Sequence, residues 1–332
     1  EVIPNWIPEN CIECNKCAIS CPHGVIRPFL LTKEDNKVKS IPSIMPKDVN
    51  FTIGINYEEC TGCGLCAVSC PGKLGNKAIE MIPNNKQDKD FDYLLKNNKN
   101  DKYANIQTSK NLAFRNPKFA FSGACAGCGE TPYIKLLTQL FRHKLVIANA
   151  TGCSSIYGAS CPSTPYSIPW ANSLFEDNAE FGYGIYKSYK EKQNEIIEKS
   201  KNTEYYNEYI DNINDYEKTK SIKEKLSNTN FDKSLLDYVE ARTVWCIGGD
   251  GWAYDIGFSG IDQILSSNEN VNILVLDTEV YSNTGGQSSK STKLGAVAKF
   301  ATNGKSTKKK DLFKIATNYP NVYVASTCLE AN

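Results

Sequence analysis

Two stretches of the 332-residue chain repeat one cysteine pattern: residues 11–22 read CIECNKCAISCP and residues 60–71 read CTGCGLCAVSCP, each C-x2-C-x2-C-x3-C-P. Three thiolates two residues apart on a tight loop suit three irons of one cubane cluster. The fourth, past the turn and before proline, reaches the neighbouring cluster. The pairing is therefore expected to cross, with Cys11, Cys14, Cys17 and Cys70 on one 4Fe-4S cluster and Cys60, Cys63, Cys66 and Cys21 on the other. Zinc would use two C-x2-C pairs per site and has no need of this doubled order. Disulfide frameworks belong to short secreted chains. The small residues Gly62, Gly64, Ala18 and Ala67 would let backbone N–H groups approach the sulfurs.

A second set of chemically pointed residues lies downstream. Gly249-Asp250-Gly251 is followed, after 26 intervening residues, by Thr278, with Val280 and Asn283 close behind. Glycines admit a diphosphate close to the backbone, and Asp250 offers a hard oxygen for Mg2+. The Thr278 side chain and a nearby backbone carbonyl would complete the sphere. This spacing matches the thiamine diphosphate signature.

The elements that must position these groups follow from apolar patterning. Thr131 as N-cap and Pro132 at the first helical position predict a helix through Tyr133–Phe141. Short apolar runs at Lys144–Ala150, Arg242–Ile247, Val271–Leu276 and Val322–Ser326 predict strands, with a helix over Tyr254–Leu265 between the second and third. Strand, helix, strand implies a parallel sheet with covered faces. Such sheets place ligands at the ends of their strands, so Cys153, Asp250 and Thr278 are expected to converge. Tyr186–Glu240 reads as solvated amphipathic helices packed on that sheet. Thr32–Lys47 reads as a surface insertion between the cysteine repeats, and Asn84–Lys110, rich in Asn, Lys and Asp, as a linker. The expected fold is an α+β ferredoxin-like domain with two 4Fe-4S clusters over residues 1–99. An α/β thiamine diphosphate-binding domain with a parallel sheet would follow over residues 100–332.

Composition narrows the function classes. With 41% hydrophobic and 23% charged residues the chain is core-forming, and a net charge of +1 speaks against nucleic-acid binding. No apolar run approaches the ~18 residues of a membrane crossing. The N-terminus lacks the basic start and apolar stretch of a secretory signal, which suggests a cytoplasmic setting or an anaerobic organelle.

Over essentially its whole length the chain resembles the pyruvate:ferredoxin oxidoreductase family. The segments that carry the resemblance are WIPEN at residues 6–10, GACAGCGETPY at 123–133, ATGCSS at 150–155, WANSLFEDNAEFGYG at 170–184, GGDGWAYDIG at 248–257 and YSNTGGQ at 281–287. The resemblance implies that Cys125, Cys128 and Cys153 supply three ligands of a third 4Fe-4S cluster beside thiamine diphosphate. Glu130 and Cys153 would border the cofactor. Asp250, Thr278 and the Val280 carbonyl would hold Mg2+. Gly249, Asp250, Gly251 and Trp252, with Thr278, Glu279, Val280, Tyr281, Ser282 and Asn283, would line the diphosphate and active centre, and Glu130 and Asn283 would act in catalysis.

The same resemblance implies oxidative decarboxylation of pyruvate with coenzyme A, electrons leaving through three clusters to ferredoxin or flavodoxin, and a homodimeric full-length enzyme. Another 2-oxoacid substrate, or an isolated electron-transfer piece, is the alternative. The chain departs from the family in lacking the fourth ligand of the third cluster, the thiamine-activating glutamate and the substrate-binding N-terminal domains, and so reads as an internal fragment, expected to be inactive alone. Cys161, Cys246 and Cys328 read as small core side chains.

Overall fold

The computed structural model describes residues 2–84, 90–159 and 164–328. These form two compact units, Glu1–Arg142 with Tyr157–Ser167, and His143–Ile156 with Ile168–Cys328.

In the first unit β1 (Val2–Trp6) pairs antiparallel with β5 (Ile79–Pro83), while β4 (Asn50–Ile55) lies between β2 (Ile26–Leu31) and the two-residue β3 (Ile41–Pro42). Between the strands sit two five-residue helices, α1 (Lys16–Ser20) and α2 (Leu65–Ser69). Each starts after a left-handed residue, Asn15 or Gly64, and stops at the last cysteine of its repeat. The proline that follows cannot continue a helix. Ser69 Oγ donates to Ser20 Oγ at 2.8 Å, joining equivalent positions of the repeats. Trp6, Leu30, Phe51, Ile55 and Phe114 form the core beneath.

Two readings of this half are corrected. Residues 32–47 are mostly exposed, as expected, yet Ile41–Pro42 adds a strand to β4. The segment read as a linker carries α3 (Asp90–Asn97), α4 (Asn100–Tyr103) and α5 (Ser109–Leu112). Its few apolar residues are well placed: Phe91 and Leu94 bury against Phe29 and Leu31. Asn100 accepts from Leu30 N (2.9 Å) and donates to the carbonyls of Pro28 (2.9 Å) and Phe114 (3.1 Å). Residues 100–142 thus pack with the first unit, whereas the domain boundary was expected at residue 99. They include α6 (Thr131–Phe141), for which Glu130 takes the N-cap position and Thr131 and Pro132 the first turn, a one-residue shift from the expected cap.

The second unit is built on a parallel sheet of order β7-β6-β8-β9, with β6 at Leu145–Ala150, β7 at Trp170–Ser173, β8 at Thr243–Gly249 and β9 at Val271–Leu276. Three of the four expected strands are present. The fourth, Val322–Ser326, is not a strand: Val322 and Val324 pack on the core and Tyr323 is exposed, so its alternation exists without a hydrogen-bonded ladder. The short polar β7 takes the fourth place. The expected helix over Tyr254–Leu265 is split into a π-helix, Gly251–Ile256, and α12 (Phe258–Ser266). At the joint Gly257 has no room for a side chain, because a Cβ there would lie 2.3 Å from the Trp252 ring and 2.7 Å from the Phe175 carbonyl.

After β6 comes α7 (Cys153–Gly158), and between β7 and β8 come α8 (Asn178–Ser200), α9 (Tyr206–Asp211), α10 (Tyr216–Ser227) and α11 (Leu236–Val239). Of these last four, α8 packs along β6 and β8. Its far end joins α9–α11 around a separate small core of Ile196, Tyr209, Ile222, Leu226 and Val239, so this region is only partly the sheet-packed layer expected. No helix among the described residues is long and apolar enough to cross a membrane.

Candidate functional site

In the first unit the eight cysteines of the repeats gather around two cavities. One is lined by Cys11, Cys14, Cys17 and Cys70 together with Trp6 and Phe51. The other is lined by Cys21, Cys60, Cys63 and Cys66 together with Val25 and Met81. Each helix gives its third cysteine to one cavity and its fourth to the other, so the crossing follows from helix position.

Burial and mutual proximity raise the thiols of Cys11, Cys17, Cys60 and Cys66. Desolvation lifts Cys11 and Cys60, pushes Cys66 up to about 12, and holds Cys17 well above the ordinary thiol range, with neighbouring thiols adding to it. Four thiols crowded in an apolar cavity become thiolates only with strong compensating positive charge. This donor set fits an iron–sulfur cluster, whose irons supply that charge. Backbone amides contribute too: Ala78 N donates to Cys70 Sγ at 3.3 Å.

The loop before α6 carries Cys125 and Cys128, with Cys128 N donating to the Cys125 carbonyl at 3.0 Å. At its centre Gly127 is left-handed (φ 73°), and a Cβ there would stand 3.8 Å from Cys63 Cβ, so the loop runs beside the second cavity. Glu130 is buried and accepts from Tyr157 OH at 2.9 Å. Burial, then the Glu130 charge, hold the Tyr157 phenol well above its ordinary range.

In the second unit the strand order reverses between β6 and β8, the kind of switch point beside which open α/β sheets bind ligands. Cys153 follows the end of β6, Asp250 the end of β8 and Thr278 the end of β9, all on the carboxyl edge of the sheet. Asp250 is 1% exposed. Its Oδ1 accepts from Thr278 Oγ1 at 3.2 Å, and Thr278 Oγ1 lies 3.1 Å from the Val280 carbonyl and 2.8 Å from Ser282 Oγ. Asp250 Oδ2 is buried with no hydrogen-bond partner among the described residues. Burial pushes the Asp250 carboxyl up, against the pull of the Ser289 and Thr278 hydroxyls. A half-satisfied buried carboxylate beside a hydroxyl and a carbonyl is a hard oxygen set suited to a divalent cation.

The glycines divide by role. Gly251 is covered by Tyr281, whose ring would lie 2.3 Å from a Cβ. Gly249 has only the Leu276 carbonyl, at 3.8 Å from its Cβ position, and is the more open of the two. Trp252 is fully buried in the core, so only its backbone remains for the lining role expected of it. Glu279 is held by Lys293 (3.1 Å) and Lys309 (3.4 Å), while Ser282 and Asn283 are exposed.

Residues 10–74 match the family model described as a 4Fe-4S dicluster domain, and residues 234–330 match the thiamine pyrophosphate enzyme, C-terminal TPP binding domain. The pyruvate:ferredoxin oxidoreductase of Moorella thermoacetica is 43% identical over 99% of this chain and 32% of its own length. The pyruvate-flavodoxin oxidoreductase of a Nostoc species is 43% identical over 99% of this chain and 31% of its own. This chain is a homologue of these oxidoreductases. It spans about a third of the length of these curated relatives. The pyruvate dehydrogenase (NADP+) of Euglena gracilis is 41% identical over 98% of this chain and 20% of its own length. A solved 2-oxoglutarate:ferredoxin oxidoreductase from Magnetococcus marinus gives a TM-score of 0.38 at 14% identity over 67% of this chain and 55% of that one, too loose a likeness to carry an argument.

Within this homologue several placements differ from, or add to, the sequence reading. Cys246 is buried, as expected, but Cys328 is exposed and not a core side chain; Cys161 lies outside the described residues. Asp277 accepts from Ser291 Oγ (2.5 Å), Lys309 Nζ (2.6 Å) and Tyr254 OH (2.9 Å). Burial raises its carboxyl, but these donors outweigh it and hold it low. Its position directly after an apolar run, one residue before Thr278, was the available signal. Lys135 and Arg27 were also missed. Burial draws Lys135 down to about 8, opposed first by Cys21, and draws Arg27 down to about 10, again opposed by Cys21.

Proposed function

We propose that this chain is the electron-transfer and thiamine-binding part of an oxidoreductase that converts pyruvate and coenzyme A to acetyl-CoA and CO2, its electrons passing to ferredoxin or flavodoxin. The observation that carries the reading is the presence, in one chain, of two thiol quartets and the Asp250–Thr278–Val280 oxygen cluster. Thiamine diphosphate, when bound, supplies an electron sink for decarboxylation of a 2-oxoacid, and a chain that also holds single-electron carriers is suited to an oxidative outcome. Asp250, Thr278 and the Val280 carbonyl would hold Mg2+ for the diphosphate. Gly249 would keep that approach open, and Asn283 and Glu130 would act on the reacting groups. Cys125, Cys128 and Cys153 would supply thiolates to a third 4Fe-4S cluster. The named relatives agree on pyruvate and differ in the acceptor, which supports pyruvate more firmly than any one acceptor. The full-length enzyme acts as a homodimer.

Substituting Asp250 by Ala tests the oxygen cluster. Calorimetric titration of the full-length enzyme with Mg2+ and thiamine diphosphate is expected to show binding lost, with the iron content of the cysteine repeats unchanged. Unaltered affinity would remove the site assignment.

A further inference from the structure

Buried charge is spread unevenly around the two thiol cavities. Lys135, in the second turn of α6, is 3% exposed, and its Nζ donates to the carbonyls of Ala18 (2.5 Å), Ile19 (3.0 Å) and Cys21 (2.6 Å). Arg27 is 9% exposed and donates to the Gly24 carbonyl (2.9 Å) and Asn116 Oδ1 (2.5 Å), its guanidinium lying 5.4 and 5.1 Å from the ring centres of Phe91 and Phe121. Neither has a carboxylate partner among the described residues. Buried cations that meet only neutral groups are unfavourable unless an anion lies nearby. Both stand by the segment around Cys21, which lines the cavity of Cys60, Cys63 and Cys66.

The other cavity is framed differently. Beside Cys14 lies Glu13, 1% exposed, paired with Lys110 at 3.4 Å. The lysine that caps α2 as Lys135 caps α1 is Lys77, bonded to the Ala67 and Val68 carbonyls, and it is exposed to solvent. Water screens the Lys77 charge; protein does not screen that of Lys135.

Reduction adds one negative charge to a cluster, and an unscreened cation nearby favours the reduced form. We propose that Lys135 and Arg27 hold the cluster on Cys60, Cys63, Cys66 and Cys21 at a higher reduction potential than the cluster on Cys11, Cys14, Cys17 and Cys70. This rests on reading both cavities as 4Fe-4S sites. The higher-potential cluster lies on the side of the loop that carries Cys125 and Cys128, so electrons that arrive from there rest on it first, and passage to the other cluster is the uphill step of the pair. Lys135 and Arg27 are positioning residues in this sense, acting through the field at the cluster.

The experiment is an anaerobic potentiometric titration, followed by EPR, of the chain loaded with iron and sulfide. Two reduction waves are expected from the two cysteine repeats, and Cys63→Ala should remove the higher of these. Lys135→Met should lower that same wave by tenfold or more in its one-electron equilibrium, about 59 mV, while moving the other less. Lys135→Arg should restore it, and Lys77→Met should shift either wave by under threefold. Equal movement of both waves, no movement, or loss of the lower wave in Cys63→Ala would overturn the proposal. Should Lys135→Met fail to take up iron, Arg27→Gln is scored by the same outcomes. Absence of iron uptake by the unaltered chain is a different result, which removes the cluster reading itself.

Discussion

The two cysteine loops turn left-handed at the same two positions and fill them with different residues. Glu13 and Asn15 in the first loop have φ of 54° and 59°, and their counterparts Gly62 and Gly64 in the second have 67° and 78°. Such left-handed positions cost a side-chain-bearing residue roughly 1–2 kcal/mol and cost glycine nothing. The second loop takes the unstrained solution. The first accepts strain at Glu13, with the more tolerant asparagine at Asn15, and uses both side chains: Glu13 accepts from Ser43 Oγ (3.1 Å) and Ile44 N (2.8 Å), and Asn15 donates to the Lys110 carbonyl (2.9 Å). The strained residues tie the first loop to the insertion after β2 and to the segment near α5. A duplicated motif has thus been made unequal through its non-cysteine positions, with the ligand spacing untouched.

The crossing itself offers the strongest way to break this comparison. Cys21→Ala should abolish the cluster on Cys60, Cys63 and Cys66 and spare the one on its own repeat, halving the iron of the first unit; Cys70→Ala should do the converse. Loss of the cluster of the same repeat in either variant would show that the helices do not exchange their last ligands.

The glycine positions come next in size. A Cβ on Gly62 would lie 2.6 Å from the Val2 carbonyl, so Gly62→Ala combines left-handed strain with a backbone clash. It should destabilise by about 2–4 kcal/mol, seen as an earlier urea midpoint for loss of cluster absorbance. Glu13→Ala leaves the Ser43 hydroxyl and the Ile44 N–H without their acceptor. It should cost about 1–3 kcal/mol in the same assay, with faster proteolysis of residues 38–47 as a local readout. The smallest effect is expected for Gly64→Asn, which copies the first repeat. Nothing lies within 4 Å of a Cβ there, and asparagine tolerates φ > 0, so the shift should stay under about 1 kcal/mol. A large loss would mean that the two loops are not equivalent at that position.

The parts of the fold legible in the sequence were those set by local pattern. Leu145–Ala150, Thr243–Gly249 and Val271–Leu276 are short, largely apolar runs followed by polar or glycine-containing turns, a pattern visible in the chain itself. β7 was not legible because WANS carries no alternation; it is a strand because Ile147–Ala150 offers a ladder for it. Val322–Ser326 has the alternation and no ladder. The segment at 84–110 looked like a linker because its apolar residues are sparse, and two of them, Phe91 and Leu94, suffice once Phe29 and Leu31 are there to receive them.

The sequence by itself determined the ligand types and their spacing, since eight thiols in a doubled order and a GDG turn separated from Thr278 by 26 residues are properties of the chain as a string. Local chemistry is enough for that, because a tight loop or a strand end presents neighbouring residues together. Tertiary structure alone decided what surrounds those ligands. Lys135 lies more than a hundred positions from Cys21 and becomes the buried donor to its carbonyl only when α6 packs against α1. Asp250 gains its unpartnered oxygen only when Thr278 and the turn after β9 close over the end of β8. Burial and field are sums over groups distant in sequence, and only the folded chain brings those groups together.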